Sequence, residues 1–183
     1  MLQDAAMTVN AHPSPSLSDA HKSAMQAANC WRGHCIDWYA RIDEALIDTL
    51  RAIAASHPEA NAQQPALFGQ RVEAVRCALS GDLLPRQGGA ALKALDAIDE
   101  QLKSRNLIVH ATGSILITRY GDWAWRYRFT PNGKAATLVN AVLDMAEANA
   151  LEDRLAARGR SLCAHLKNFR KALRKPDAPA AAV

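Results

Sequence analysis

From about residue 18 onward, apolar residues recur at alternating steps of three and four: Ala28, Trp31, Cys35, Tyr39, Ile42, Leu46, Leu50 and Ile53. That spacing keeps one side of a 3.6-residue turn apolar, so it predicts a long amphipathic helix that stops before Pro58. The opposite side places Asp37 before Arg41 and Asp48 before Arg51, pairs at helical spacing that belong to a solvated surface. Residues 61–65 read as a loop. Leu67, Phe68, Val72, Val75 and Leu79 then mark a second helix that ends at Gly81. After a turn around Pro85 and Gly88-Gly89, a third helix from about Ala90 carries Leu92, Leu95, Ile98, Leu102 and Val109 inward.

Beyond Thr112-Gly113 the apolar period shortens from 3.6 to 2. Residues 114–120 and 123–129 read as the strands of one β-hairpin, 114–129, joined by Gly121-Asp122. With Tyr120 opposite Trp123, one face collects Leu116, Tyr120, Trp123, Trp125, Tyr127 and Phe129. The other collects Ile115, Ile117, Arg119, Arg126 and Arg128. An isolated hairpin is marginal in water, so the aromatic face is expected to pack on the helices.

Pro131-Asn132-Gly133 then turns the chain into a fourth helix with Leu138, Val142, Met145 or Ala146, and Leu155 inward. Gly159 is a candidate boundary before a fifth helix, whose stripe is Leu162, Leu166, Phe169 and Leu173. The expected fold is therefore mainly α, a bundle of about five helices with one β-hairpin inserted after the third. It occupies residues 18–175, between a Ser/Pro-containing arm at 1–17 and a Pro/Ala-rich tail at 176–183, both expected to be disordered.

A length of 183 residues fits one domain and can bury a core without staples. Apolar residues make up 49% of the chain, a share inflated by alanine, and no run approaches the ~18 apolar residues of a membrane span. The N-terminus carries Asp4 where a secretory signal needs basic residues and an apolar block, so a cytoplasmic location is expected. Cys30, Cys35, Cys77 and Cys163 are scattered over helical segments and read as reduced thiols. A net charge of +4 permits an acidic partner without identifying one. The charge is concentrated late: Arg154, Arg158, Arg160, Lys167, Arg170, Lys171, Arg174 and Lys175 occur with no acid between them. Such a face either follows a nucleic-acid backbone or is a solvated surface with cations near a helix C-terminus.

Candidate chemistry lies at the end of the third helix. Arg105 and Asn106 follow Leu102 by one turn, where a helix meant only for packing would place another aliphatic, and His110 lies one turn beyond Asn106. Around an ideal helix Arg105 and His110 are roughly 140° apart, so two copies are better placed than one to close both on the same group.

The run Arg105-Asn106-Leu107-Ile108-Val109-His110 resembles the signature of the HEPN superfamily, an arginine, usually followed by a polar residue, and then a histidine after four to six intervening positions. The resemblance implies a helical fold, a two-fold homodimer with facing motifs and, in active members, metal-independent RNA cleavage without a cofactor. On that reading His110 exchanges protons with the ribose 2′-hydroxyl or the leaving 5′-oxygen, since an imidazole titrates near neutral pH. Arg105 holds the scissile phosphate with its planar cationic fork, and Asn106 orients either group. The products would carry a 2′,3′-cyclic phosphate and a 5′-hydroxyl. Arg119, Arg126 and Arg128 on the hairpin would extend the RNA-binding surface, or else serve to keep an exposed strand from pairing. The resemblance also suggests a toxic or defensive component with an antitoxin or other protein partner. The alternative is a non-catalytic HEPN-like module that binds RNA, a nucleotide or a protein, and a third reading is a helical scaffold with a chance motif.

The loose spacing recurs at Arg51 to His57 and Arg160 to His165, but neither arginine is followed by asparagine. Cys30, His34 and Cys35 supply metal-ligand types without the second pair that a zinc site needs, so no metal is expected and the thiols read as packed side chains. Trp123 and Trp125 have the faces to stack bases, although on a hairpin that must dock they read first as core.

Overall fold

The expected stripe of the first helix is entirely buried. In the computed structural model, which describes residues 17–58, 65–81, 88–130 and 139–174, α1 (Leu17–Ser56) hides Ala28, Trp31, Cys35, Tyr39, Ile42, Leu46, Leu50 and Ile53 from solvent. The pairs Arg41–Asp37 and Arg51–Asp48 lie on its exposed side. α2 (Phe68–Ser80) buries Phe68, Val72, Val75 and Leu79, while Leu67 is only its N-cap and stays 63% exposed. α3 (Gly88–His110) buries Leu95, Ile98, Leu102 and also Ile108, leaving Leu92 and Val109 partly covered.

Side-chain bonds fix how the helices run. Trp31 donates to the Ala148 carbonyl at 2.8 Å and Arg170 to the Ala45 carbonyl at 3.0 Å, so the last helix, α4 (Met145–Leu173), runs parallel to α1. Tyr39 donates to the Gln101 carbonyl at 2.7 Å and Arg32 to that of Ile108 at 2.7 Å, so α3 runs antiparallel to both. Arg71 grips Asp43 through both carboxylate oxygens at 2.7 Å and caps the Pro65 and Ala66 carbonyls, pinning the start of α2 to α1. Among the described residues no helix is long and apolar enough to cross a membrane.

The expected fourth and fifth helices are replaced by a strand and one continuous helix. β1 (Thr112–Ile117), β2 (Trp123–Phe129) and β3 (Val139–Asp144) form an antiparallel sheet in the order β1-β2-β3, and Val142 is 53% exposed on it instead of facing inward. Val139, Val142 and Leu143 suit an extended chain, and pairing with β2 overrides the helical period. The helix begins where Asp144 accepts from the Glu147 N–H at 2.8 Å and Glu147 accepts in return from the Asp144 N–H at 3.1 Å. That reciprocal cap, three residues apart, is legible in the sequence. Gly159 does not divide α4. A β-carbon there would lie 3.0 Å from Trp38 Cε3 and 3.4 Å from Ile42 Cδ1, so the glycine permits close approach of α1.

The hairpin register also differs from the expected one. Ile117, not Tyr120, stands opposite Trp123, and Ile115 opposite Trp125. The loop is longer than Gly121-Asp122: Thr118 N–H bonds the Asp122 carbonyl, Gly121 N–H bonds the Thr118 carbonyl, and Gly121 takes φ 89°. A left-handed glycine closing a tight turn belongs to a three-residue loop. The shift between the two registers is an odd number, so the faces of β1 exchange. Ile115 and Ile117 join the aromatic side and Leu116 moves to the arginine side. The aromatic side packs on the helices as expected, with Trp31 5.7 Å from Trp123 and 6.0 Å from Trp125 between ring centroids. The arm at 1–17, apart from the start of α1, the turns at Pro85 and Pro131-Asn132-Gly133, Leu138, Lys175 and the tail at 176–183 lie outside the described residues.

Two glycines within helices should respond oppositely to substitution. Gly33 is exposed with nothing within 4 Å of a built β-carbon, so Gly33→Ala should raise the unfolding free energy by about 0.5–1 kcal/mol. Gly159→Val should lower it by roughly 1–3 kcal/mol by forcing Trp38 aside. Urea unfolding of both variants checks the pair.

Candidate functional site

The residues of the expected motif occupy the last two turns of α3, and an arginine from another helix holds that end in place. Arg32, on the flank of the α1 stripe, donates from Nε to the Ile108 carbonyl at 2.7 Å. Its Nη2 donates to the carbonyls of Val109 at 2.9 Å and Ala111 at 3.4 Å. These are terminal carbonyls that a helix leaves without an internal partner. A cation there also meets the negative end of the helix dipole. The same guanidinium lies 5.4 Å from the Trp125 ring centroid, so one side chain ties α1, the end of α3 and the sheet together. The sequence reading missed Arg32. The available signal was a charged side chain beside Trp31 at the edge of an apolar stripe.

Arg105 is half-buried within the inward face of α3. Its guanidinium carbon sits 4.7 Å from the centroid of Phe68, and Nη1 lies 3.4 Å from Asn106 Oδ1. Asn106 and His110 are exposed. Four residues apart, they differ by about 40° around the helix and face outward together, while Arg105 points toward α2. Within one chain, then, Asn106 and His110 share a surface, and Arg105 meets it only through its bond to the Asn106 amide oxygen.

Two residues beyond His110 the chain enters β1, whose outer face makes a second constellation. Cross-strand neighbours there are Ser114, Arg126 and Val142 in one row, with Thr112, Arg128 and Asn140 in the next. Together with Gly113 and Tyr127, the polar members of these rows line an open cleft of about 600 Å³. Arg126 and Arg128 are exposed, and neither forms an ion pair with a described acidic residue. Arg119, expected beside them, is instead in the hairpin loop with its guanidinium against the Tyr120 ring and hydroxyl.

The basic face of α4 is partly structural. Arg158 bonds the Ala97 carbonyl and Gln101 Oε1, and Arg170 bonds the Ala45 carbonyl and Thr49 Oγ1. Those bonds satisfy Thr49 and Gln101, the buried polar side chains of the core. Arg154, Arg160, Lys167, Lys171 and Arg174 remain exposed. Among the described residues no group of three His, Cys, Asp or Glu side chains is placed to hold a metal ion, and His34 bonds Glu152 at 3.0 Å. Cys35 is buried, which pushes its thiol up to about 12, with the Glu152 carboxylate adding to the effect. Burial likewise raises the Tyr39 phenol, Cys35 adds to it, and the nearby Arg105 cation pulls the other way.

No protein-family model, curated protein or solved structure matches the chain.

The thiols should separate by reactivity. Cys30 and Cys77 are exposed and should react promptly with a disulfide reagent at pH 8, whereas Cys35 should react only on unfolding. Because the folded-state value of Cys35 lies above its ordinary 9.0, its contribution to stability is complete below pH 9 and falls away as the pH rises toward about 12. Urea midpoints across that window, compared with those of Cys35→Ala, check the direction: the variant should lose less.

Proposed function

We propose that this protein binds RNA as a HEPN-like module, seating the phosphate backbone on the outer face of its sheet. The observation that carries this reading is the pair Arg126 and Arg128, exposed and without acidic partners among the described residues, flanked by the hydroxyls of Thr112 and Ser114 and the amide of Asn140. Guanidinium forks and neutral donors along one groove suit successive phosphate oxygens, and the absence of a described carboxylate between the two arginines keeps the field positive. Ribose contacts are open to Asn140 and the two hydroxyls.

Endoribonuclease activity is the second reading, favoured by the joint exposure of Asn106 and His110 just before β1. Thr112 stands opposite Arg128, and two residues span at most ~7 Å of chain, so His110 borders the proposed phosphate groove. There His110 would take the 2′-hydroxyl proton as that oxygen attacks phosphorus. The departing 5′-oxygen would receive a proton, leaving a cyclic phosphate. Since Arg105 turns toward α2, a second protomer would supply the guanidinium opposite His110, which makes a homodimer part of this reading. A toxic or defensive role with a protein partner remains attached to it.

Fluorescence anisotropy with a labelled single-stranded RNA tests the first reading. Arg126→Ala/Arg128→Ala should weaken binding and lower the slope of log K against log salt by roughly 1.4, from ~0.7 per phosphate contact. An unchanged slope sinks it. Incubation with mixed RNA in EDTA tests the second: cleavage should be lost in His110→Ala and reduced in Asn106→Ala, and equal cleavage by all three proteins would assign the activity elsewhere.

A further inference from the structure

A second cleft of about 370 Å³, adjoining the first at Gly113 and Ser114, lies between the first turns of α1 and the start of the sheet, lined on the helix side by His21, Met25, Asn29 and Arg32 and on the sheet side by Ile115 and Trp125. Its volume lies in the usual range of small-ligand sites. None of its lining residues is an acid, and two of its polar groups, the Arg32 guanidinium and the Trp125 indole, can only donate. Arg32 is half-buried and pairs with no described carboxylate; its bonds go to three backbone carbonyls through Nε and Nη2, while Nη1 has no described partner. A guanidinium keeps its charge when partly desolvated, so the cleft holds a fixed cation that no described acid pairs with. The Trp125 indole N–H donates to no described residue, and no side-chain nitrogen or oxygen among the described residues is both buried and unbonded, so this N–H is accessible. It lies beside Gly113, where a β-carbon would come within 2.6 Å of it, so only glycine leaves that edge of the indole open. Asn29 adds an amide at the rim, and Met25, Ala28 and Ile115 make the rest apolar.

We propose that this cleft binds a small organic carboxylate, with its two oxygens on Arg32 Nη1 and the Trp125 indole N–H and its apolar body against Met25 and Ile115. The pairing is a charge-assisted bond beside a neutral donor in a partly dry site, which favours a carboxylate over its neutral amide. The inference differs from the RNA reading in its cation: Arg126 and Arg128 take no part, although Gly113 and Ser114 line both clefts. Occupancy is nevertheless felt at the end of α3, since the same guanidinium holds the carbonyls of Ile108, Val109 and Ala111.

Titration of the full chain with benzoate, followed by ¹H–¹⁵N NMR, tests it. Benzamide serves as the neutral isostere and inorganic phosphate as an anion without an apolar body. The Trp125 indole cross-peak should move and saturate with a Kd on the order of 1 mM. The Trp38 indole, which lies outside the cleft, should stay still, and backbone amides at 109–112 should shift with Trp125. Benzamide and phosphate should bind at least tenfold more weakly. Met25→Glu, at a 43% exposed helical position, should abolish the shift by setting a carboxylate in the cleft while leaving the circular dichroism unchanged. Arg32→Lys should weaken binding about tenfold if folded, and the Met25 variant keeps the test valid if it is not. A motionless Trp125 cross-peak overturns the proposal, as does equal binding of benzamide or phosphate, or loss of benzoate binding in Arg126→Ala/Arg128→Ala.

Discussion

Trp31 and Arg32, adjacent on α1, between them reach α3, α4 and β2. The Trp31 ring packs on Trp123 and Trp125 of β2, and its N–H reaches the Ala148 carbonyl near the start of α4. One residue on, Arg32 collects the carbonyls that end α3 and covers the Trp125 ring. The β1-β2 hairpin is marginal in water until its aromatic face is covered, and this double anchor, apolar on one residue and charged on the next, supplies part of the surface it docks on. The placement of His110, of the arginine face and of the cleft beside α1 all follow from it.

The same anchor explains why the candidate chemistry lies at one end of the bundle. In the middle, the buried polar residues Thr49 and Gln101 are bonded by Arg170 and Arg158, so those cations are committed to packing. Arg71 with Asp43 and Arg76 with Asp96 and Asp99 join helix to helix in the same manner. Toward the sheet the pattern changes. Among the described residues Arg126 and Arg128 face solvent without an acid, and Arg32 bonds neutral carbonyls. Charge left unbalanced by the fold is charge free to meet a ligand, which is why the RNA and carboxylate proposals both sit there.

Much of the fold was legible because its helices are long and one-sided. The α1 stripe from Ala28 to Ile53, the inward residues of α2 and the stripe of α4 from Leu162 to Phe169 are buried as the 3.6 period demands. Reading faltered where two periods compete. Val139 to Asp144 fits either a helical or an extended pattern over six residues, and cross-strand pairing with β2 decided it. Gly159 looks like a break in sequence, but its reason lies on Trp38, more than a hundred residues away. The hairpin register turned on whether the loop has two residues or three, and that choice moved Leu116 and both isoleucines to opposite faces. Of the candidate site, the exposed Arg126, Arg128, Asn106 and His110 were foreseeable, since polar side chains outside a stripe face water.

By itself the sequence determined a mainly helical chain, the inward face of each long helix and an arginine-bearing strand pair after the third, because periodicity is a local property. Only the tertiary structure decided which arginines are spent and which are free. Arg105 turns to Phe68, Arg119 to its neighbour Tyr120, and Arg158 and Arg170 to the core, while Arg32 secures the end of α3. A guanidinium carries the same charge in every setting. Its role depends on the carbonyls and rings that distant segments bring within its reach, and no local pattern records those.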